Sequence, residues 1–522
     1  MSLLKLDKKL ILFIAIIILS IPSVLTLLNS GFFQTDDGNW MVIRFSAFYE
    51  SLRDGQFPVR YLSRLNNGYG YPVSNFLYPL FMYIGTPIHA IGISFVDTIK
   101  IILGASLVLS SIFCFLWLRK KFDNLSSLIG SVLYLYFPYH LWDVYKRGSV
   151  GEVLALAIVP FIFLQIERNS LFWGAIGIAS LILSHNTIAL LSLPVIIIYV
   201  GIKVWDSKNK ILKIYQYTSI LVLGIGLSAF FSVPAVFDLQ YTVFFQTSIS
   251  DWSKYFADWE LIGISSIIVF MAFFLLFIMK VSTIQKHRLT VFFFIVGVFS
   301  IFFAGSLSAF FWHLLPIASF IQFPFRFLSL AMFCVSFLGA FIVSITSREK
   351  KTIVVVLILI FTALSSKSFI YPEVFQNYPD AFYSTNMDTT TVKNEYMPKW
   401  VKRVPLQMSK EKIEIITGKG EISSLIADGN KYNFNLTLRQ DSVVQINTVY
   451  FPGWVLKIND KSSPIIYEEN GLLRFKASEG NHKVVAKFTE TKVRLLSDVI
   501  SSGSLIIILF SLLNKKRKIL QI

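Results

Sequence analysis

The chain has 522 residues, of which 54% are hydrophobic and 15% are charged. Soluble proteins carry about 25% charged residues, so this composition excludes an ordinary soluble domain and indicates a membrane protein with many spans. A net charge of +17 could indicate a nucleic-acid partner, but the basic residues concentrate in short loops between hydrophobic segments. That distribution sets membrane topology and argues against nucleic acid as a partner.

Twelve hydrophobic segments are predicted to cross the bilayer, because each approaches the ~20 residues that a spanning helix requires. They lie near residues 8–29, 98–118, 125–141, 150–167, 170–184, 187–204, 213–236, 261–281, 289–311, 326–346, 352–367 and 496–513. The basic loops between and beside them are 5–9, 119–121, 167–168, 203–213, 280–288, 348–351 and 515–518. The apolar stretch 76–96 is interpreted as an interfacial or re-entrant helix, because a crossing there would move loop 119–121 to the side opposite the other basic loops.

This topology predicts a multi-pass protein of the cytoplasmic membrane with both termini in the cytoplasm and the lipid bilayer as its surroundings. Residues 1–9 are interpreted as the basic flank of an uncleaved first span. We expect a transmembrane domain at 1–367 with a large first external loop at 30–97, an extracytoplasmic region at 368–495, and a final span with a basic tail at 496–522.

An acidic pair, Asp36 and Asp37, follows the first span within a few residues and is expected at the outer membrane surface. Carboxylates at this depth are costly unless they are solvated or used, so the pair is the first candidate for catalysis. The alternative is a structural role at a helix N-terminus, because aspartate is a favoured capping residue. Residues 39–52 then read as an amphipathic helix along the membrane interface.

The rest of the first external loop contains glycine, tyrosine and proline, which favour a fixed, irregular loop with aromatic walls. Arg60 and Tyr71 are candidates for orienting a substrate within it. An aromatic belt at the interface is the alternative role for the tyrosines.

Four further candidates lie at the predicted external ends of spans. Arg147 offers a planar fork suited to phosphate oxygens, and Glu152 could orient that arginine or bind a hydroxyl group. Their ordinary alternatives are a basic side chain reaching the membrane surface and an acid at a helix N-terminus. His185 ends the fifth span and Arg326 opens the tenth, and each could contact a phosphate or play a structural role.

Residues 368–495 change to a pattern of alternating polar and apolar residues. Strands are predicted at 432–438, 442–451, 471–477 and 482–488, separated by turn signals such as Asn459-Asp460. Short strands at this spacing predict a small extracytoplasmic β-sandwich. We expect Trp454 to pack inside it, with glycan stacking as the alternative role of this ring.

Several short motifs follow one another in an order that is typical of a known group of membrane proteins. They are Asp54-Gly55-Gln56-Phe57-Pro58, Gly68-Tyr69-Gly70-Tyr71-Pro72, Arg147 with Gly151-Glu152, Ser184-His185-Asn186, Phe323-Pro324-Phe325-Arg326-Phe327 and Tyr450-Phe451-Pro452-Gly453-Trp454. With the acidic pair and the interfacial helix, they resemble the GT-C superfamily of membrane glycosyltransferases. Within it the chain is similar to YfhO-like membrane proteins, some of which carry a label related to 6-pyruvoyl-tetrahydropterin synthase. The sequence shows no zinc-binding histidine cluster for that chemistry.

The resemblance implies an inverting transfer of a sugar from a polyprenyl-phosphate-linked donor to an extracytoplasmic glycan, lipid or protein of the cell envelope. In this superfamily an acid of the first external loop acts as the base, which corresponds here to Asp36 or Asp37, with Asp36 slightly favoured because it is nearer the membrane. Arg147, His185 and Arg326 are then the candidates for binding the donor phosphate.

Two other classes of function remain alternatives, namely a flippase or transporter of lipid-linked sugars and a glycan-binding envelope scaffold without catalysis. Spans poor in ionisable residues and acids in an external loop favour the enzyme. The chain lacks the Trp-Trp-Asp motif of oligosaccharyltransferases, which removes support for asparagine-sequon transfer. No cofactor is predicted, and no metal ligand set is assigned, so a divalent metal has no support in the sequence.

Overall fold

The computed structural model describes residues 8–247, 249, 251–279, 288–315, 318–372 and 374–520. The basic loops at 5–9 and 280–288 lie partly outside these residues, as do the side chains of the tail at 515–518. Helices dominate the described chain. They are α1 (Lys8–Val24), α2 (Gly38–Arg53), α3 (Leu80–Ala90), α4 (Phe95–Leu118), α5 (Asn124–Leu135), α6 (Pro138–Trp142), α7 (Val150–Glu167), α8 (Leu171–Ser184), α9 (Asn186–Trp205), α10 (Lys210–Asp238), α11 (Trp259–Ile262), α12 (Ile264–Ile278), α13 (Arg288–Ala304), α14 (Ala309–Trp312), α15 (Ala318–Ile321), α16 (Leu328–Ile345), α17 (Arg348–Ser366), α18 (Asp380–Thr385) and α19 (Lys492–Leu520).

Eight helical segments among the described residues are long and apolar enough to cross a membrane. They are Ile11–Leu28, Phe95–Leu118, Val150–Glu167, Asn186–Trp205, Lys210–Tyr241, Pro324–Ile345, Arg348–Phe369 and Lys492–Leu513. Two bent pairs, at 253–278 and 288–312, raise the number to ten if each is one span. The shorter apolar helices α5 and α8 occupy the two remaining predicted segments. The predicted polytopic helical fold is therefore confirmed, with eight to ten segments of sufficient length where twelve were predicted.

The centre of the bundle is formed by α7 and α16. Buried residues make up 78% of α7 and 89% of the segment that contains α16, against 22% and 17% for the segments of α17 and α19. Helices that are apolar on all sides belong in such a core, whereas α17 and α19 present their apolar side chains outward. Helix α3 has 11 residues, about half the length that a bilayer requires. As the helix of the stretch 76–96, α3 is therefore too short to cross the bilayer by itself.

Helix α2 differs from the amphipathic interfacial helix that the sequence predicts. All of its residues from Met41 to Phe48 are buried, including the guanidinium of Arg44. The reason is a cover formed by residues far along the chain: Arg44 donates to the backbone oxygen of Thr390, and Ser46 donates to that of Tyr383. The middle of α2, from Met41 to Phe48, is therefore enclosed by protein.

Ten strands lie among the described residues. They are β1 (Phe32–Phe33), β2 (Phe375–Gln376), β3 (Ile413–Thr417), β4 (Gly420–Asp428), β5 (Lys431–Leu438), β6 (Ser442–Val449), β7 (Trp454–Ile458), β8 (Lys461–Ser463), β9 (Leu472–Ala477) and β10 (Gly480–Phe488). One antiparallel sheet has the order β4-β5-β10-β7-β8 and a second has the order β3-β6-β9. Side chains alternate between buried and exposed along β5, and the rings of Phe434 and Phe475 lie 6.5 Å apart between the two sheets. The C-terminal β-sheet region that the sequence predicts is thus present, with four more strands than expected.

Trp454 lies inside this region, as expected, with 4% of its surface exposed. Its ring stacks on Tyr432 at 5.6 Å and meets Tyr61 of the first loop edge-on at 5.6 Å. Strands β1 and β2 pair in the same way across the chain, through Phe32 with Gln376. The first loop is consequently held between the helical bundle and the β-rich region.

Candidate functional site

The acidic pair is fixed against a π-helical turn at Asp143–Arg147. The N–H of Asp36 donates to the carbonyl of Lys146 at 3.1 Å, and that of Asp37 donates to the carbonyl of Arg147 at 2.8 Å. Gly148 ends the turn with φ +67°, and a Cβ there would lie 2.9 Å from the backbone of Gly38. This approach requires glycine. An extra residue in a π turn re-aims its side chains, and such turns are frequent at functional sites.

Glu152 is the centre of a buried charge cluster, which consists of Asp37, Asp143, Arg147, Glu152, His185 and Arg326. Its carboxylate is fully buried in the first turn of α7, and Oε1 accepts from the hydroxyl of Tyr139. Oε2 accepts from Arg147 Nη1 at 2.7 Å, while Arg326 Nε and His185 Nε2 approach it at 3.5 Å and 3.6 Å. The positions chosen from separate sequence motifs therefore meet at one carboxylate.

Gly151 explains how His185 comes so near α7. A Cβ at Gly151 would lie 2.1 Å from the ring of Tyr78 and 2.4 Å from the carbonyl of Ser184, so only glycine permits this packing. The N–H of Ile188 donates to His185 Nδ1 at 3.2 Å. In the neutral ring the proton then resides on Nε2, which faces Glu152.

Arg147 was predicted to bind a phosphate, but the structure surrounds it with carboxylates. Its Nη1 donates to Asp143 at 2.8 Å and to Glu152, and its Nη2 lies 3.5 Å from Asp37. The rings of Phe325 and Phe323 lie 5.0 Å and 5.7 Å from its guanidinium carbon. With 4% of its surface exposed, Arg147 contacts Asp37 and the two buried carboxyl groups, and its binding of a phosphate stays a prediction.

Arg326 keeps more of its hydrogen-bonding capacity. Its Nη1 donates to the carbonyl of Ile321 at 2.8 Å and to Gln322 at 3.0 Å. Its Nε is buried without a hydrogen-bond partner among the described residues. This buried Nε–H is a donor that Arg326 has available for a ligand.

Burial controls protonation in the cluster. It raises the pKa of Asp143 well above the usual range, with Glu152 acting in the same direction, and Asp143 Oδ2 has no partner among the described residues. Burial lowers the pKa of His185 to about 3, so the ring carries no positive charge for a phosphate. Burial opposes the charge of Arg147, but Glu152, Asp143 and Asp37 raise its pKa well above its ordinary value.

The two acids of the pair have different surroundings. Asp37 contacts Arg147 and keeps 29% of its side chain exposed, whereas the side chain of Asp36 points toward solvent. Partial burial raises the pKa of Asp36 despite the attraction of Arg147. Neither acid caps α2 with its side chain, because Thr35 Oγ1 accepts from the N–H of Gly38 at 2.9 Å. Thr35, and neither acid, therefore supplies the side-chain hydrogen bond at the start of α2.

Two predicted substrate-orienting residues lie outside the cluster. Arg60 donates to Glu490 at 3.0 Å and to Asp498 at 3.0 Å, so it joins the first loop to the end of the β-rich region and to α19. The hydroxyl of Tyr71 accepts from the N–H of Tyr396 and contacts Thr391, and the ring is fully buried. Both side chains are occupied by contacts within the protein, and their assignment to a substrate stays a prediction.

Three members of the site were missed from the sequence. Asp143 precedes Arg147 by four residues, a spacing that could have indicated the pair. Tyr139 was not singled out because it is uncharged, and Arg44 lay within a helix expected along the membrane interface. Among the described residues no three His, Cys, Asp or Glu side chains converge in a way that could hold a metal ion.

Residues 75–374, more than half of the chain, match the family described as "6-pyruvoyl-tetrahydropterin synthase related domain; membrane protein". The chain belongs to this family of membrane proteins. The prediction from the sequence motifs is thereby confirmed for the family. An uncharacterized protein of Lactococcus lactis subsp. cremoris (strain MG1363) is 26% identical over 259 residues, which are 47% of this chain and 42% of that relative.

A comparison with solved structures returns several glycosyltransferases at low identity. The arabinofuranosyltransferase AftD from Mycobacteria matches with a TM-score of 0.43 and 12% identity, over 72% of this chain and 28% of that one. ArnT from Cupriavidus metallidurans matches with 0.43 and 14%, over 72% and 67%. The Archaeoglobus fulgidus oligosaccharyltransferase matches with 0.43 and 12%, over 76% and 62%. Likeness at this level transfers no activity and no site residue to this chain.

Proposed function

We propose that this membrane protein transfers a sugar from a polyprenyl-phosphate-linked donor to a hydroxyl group of an extracytoplasmic acceptor, with Asp37 as general base. The observation that carries the proposal is the state of Asp37. This carboxylate is partly exposed, lies beside the predicted end of the first span, and is fixed by Arg147 to a buried charge cluster. The sequence resemblance to the GT-C superfamily supplies the class of reaction.

Asp37 replaces Asp36, the acid slightly favoured from the sequence. A general base must be reachable by the acceptor hydroxyl and held in a fixed direction. Asp37 meets the first condition because 29% of its side chain is exposed. It meets the second because its backbone N–H and its carboxylate both contact Arg147. Asp36 shares the backbone contact through Lys146 but has no ion pair among the described residues.

The proposed reaction balances without a further reagent. The acceptor oxygen forms a bond to the anomeric carbon while its proton moves to the Asp37 carboxylate. The bond between the anomeric carbon and the phosphate oxygen breaks, and its electron pair leaves on the lipid phosphate. Attack from the face opposite the phosphate inverts the configuration.

The leaving phosphate needs a cation in a site of low dielectric constant. Arg326 is the candidate, because its Nε is buried and has no hydrogen-bond partner among the described residues. A phosphate oxygen that approached this Nε would share it with the carboxylate of Glu152, which lies 3.5 Å away. Arg147 would act indirectly, as a positioning residue for Asp37.

The test uses full-length protein in lipid nanodiscs with radiolabelled undecaprenyl-phosphate hexoses and pentoses, and with delipidated cell-envelope glycan as acceptor. Asp37→Asn should lower transfer by about 10²–10⁴-fold, the usual contribution of a general base, while donor binding persists. Asp36→Asn is the matched control and should retain most of the activity. Arg326→Gln should weaken donor binding, whereas Arg288→Gln, at an exposed ion pair, should not.

Full transfer by Asp37→Asn would refute the assignment of the base. Full transfer by both asparagine variants would remove the acidic pair from the chemistry. Transbilayer movement of the labelled lipid without transfer by any variant would then favour the flippase function over the enzyme.

A further inference from the structure

A polar cavity of about 250 Å³ lies beside the start of α2, between the first loop and the segment 387–406. Trp40 of α2 lines it together with Asn66, Asn67, Asp388 and Asn394. The charge cluster does not include any of these residues. Pockets for drug-sized ligands measure ~300–1,000 Å³, so this cavity suits a ligand part no larger than one or two sugar rings.

The walls of the cavity are held in unusual backbone conformations. Asn66, Asn67, Thr390 and Asn394 have φ values of +57°, +55°, +60° and +53°. Asparagine tolerates this region, but a β-branched threonine does so only when its surroundings enforce it. Arg44 supplies the constraint, with Nη2 donating to the carbonyl of Thr390 at 2.6 Å and Nε donating to its Oγ1 at 3.2 Å. A buried cation thus fixes the shape of this wall before any ligand arrives.

One accessible side chain of the cavity has an acceptor that the chain does not use. Asn67 is half-buried and donates from Nδ2 to the carbonyl of Pro405 at 2.9 Å, while its Oδ1 accepts no hydrogen bond within the described part of the chain. A ligand that donates a hydrogen bond can pair with this oxygen. The carboxylate of Asp388, at the exposed rim, has no ion pair among the described residues and is a second acceptor. These two acceptors favour a ligand rich in O–H donors.

The remaining features select the ligand class. Trp40 presents a half-buried ring, on which the apolar C–H face of a sugar can pack. The side chains that line the cavity include Asp388 and no cation, which disfavours phosphate or carboxylate ligands. Trp40 lies in the first turn of α2 and Asp37 immediately precedes this helix, so the cavity and the carboxylate belong to the same end of α2.

We propose that this cavity binds the acceptor and that the acceptor is a neutral oligosaccharide, with one sugar in the cavity and the next hydroxyl toward Asp37. The role of the ligand as acceptor rests on the proposed function. The ligand class rests on the cavity alone.

Binding can be measured without transfer. Full-length protein in nanodiscs would be titrated with mannotetraose, maltotetraose and cellotetraose by saturation-transfer NMR, next to trigalacturonate and a tetrapeptide. The wild type should bind at least one neutral tetrasaccharide at millimolar concentration. Trp40→Ala and Asp388→Ala should raise its Kd about tenfold or more, equivalent to about 1.4 kcal/mol. Trp173→Ala, at a ring that is 52% exposed on α8, is the matched control and should leave Kd unchanged.

Two outcomes would overturn the proposal: binding of only the trigalacturonate or the peptide by the wild type, or binding of neutral tetrasaccharides that the cavity variants leave unaltered. In a transfer assay the same cavity variants should raise the KM for the acceptor and leave kcat and donor binding near the wild-type values. Failure of binding with intact dependence of transfer on Asp37 would reject the acceptor class alone. Binding together with full transfer by Asp37→Asn would reject the base and keep the oligosaccharide site.

Discussion

Arg147→Met offers the sharpest test of the charge cluster. The arginine donates to Glu152 at 2.7 Å and to Asp143 at 2.8 Å, and both carboxyl groups are fully buried. Methionine fills a similar volume but leaves the Glu152 carboxylate without its shortest ionic contact. Removing one partner of a buried ion pair costs about 3–5 kcal/mol, because the other charge stays out of water. We expect a loss of this size in the free energy of unfolding.

The measurement is a denaturant titration of the purified protein in micelles, followed by tryptophan fluorescence. Arg288→Met is the control, because its 2.9 Å contact with Asp206 has nearly the same length but both side chains are more than half exposed. Exposed pairs contribute about 0.2–1 kcal/mol. Adding Glu152→Gln to Arg147→Met should restore about 0.5–3 kcal/mol, the coupling expected for contacting residues. Equal losses for Arg147→Met and Arg288→Met would refute the reasoning from burial.

Three further outcomes are expected in the same measurement. Trp454→Ala should cost about 3–5 kcal/mol through the cavity it leaves, whereas Trp173→Ala, at an exposed ring, should cost far less; equal effects would exclude a buried indole. His185 has a folded pKa of about 3 against an ordinary 6.5, so between these values the unfolded chain binds a proton that the folded chain does not, and the free energy of unfolding decreases as the pH is lowered, by at most about 1.4 kcal/mol per pH unit. Replacing His185 by glutamine should flatten that slope, and an unchanged slope would reject the neutral ring. Gly151→Ala should cost about 1–3 kcal/mol by overpacking, while Gly201→Ala, which meets no atom within 4 Å, should cost nothing. A cost at Gly201 and none at Gly151 would contradict the close approach of Tyr78 to Gly151.

The sequence predicted elements that depend on local chemistry. Turns at Asn459-Asp460 and near Gly480 are present because these residues accept positive φ values. Strand β5 was found from its alternation, since one face is buried and the other is wet. Strand β4 was missed because most of its side chains are exposed, so no alternation marks it. Periodicity reports burial, and an exposed edge strand leaves no such pattern.

The sequence indicated five of the six residues of the charge cluster, all except Asp143, but it did not indicate their connections. Arg147, His185 and Arg326 come from three separate segments. No spacing rule indicates that all three approach the carboxylate of Glu152. The partners of Arg147 could not be predicted for the same reason: its fork geometry suits phosphate and carboxylate equally, and the partner is decided by tertiary packing. The burial of Arg44 likewise depends on residues more than three hundred positions away.

The cover over α2 has a consequence for the synthesis of the chain. Asn39 and Gln376, which are hydrogen-bonded, are 337 positions apart, and Arg44 and Thr390 are 346 apart. At about 5–20 residues per second, roughly 17–70 s of translation separate the two halves of each contact. Throughout that interval the buried arginine of α2 has no partner from the distant segment. A ribosome that stalls before residue 376 would leave a membrane-inserted protein in which α2 lacks both of these contacts. Quality-control proteases would then encounter α2 without its cover.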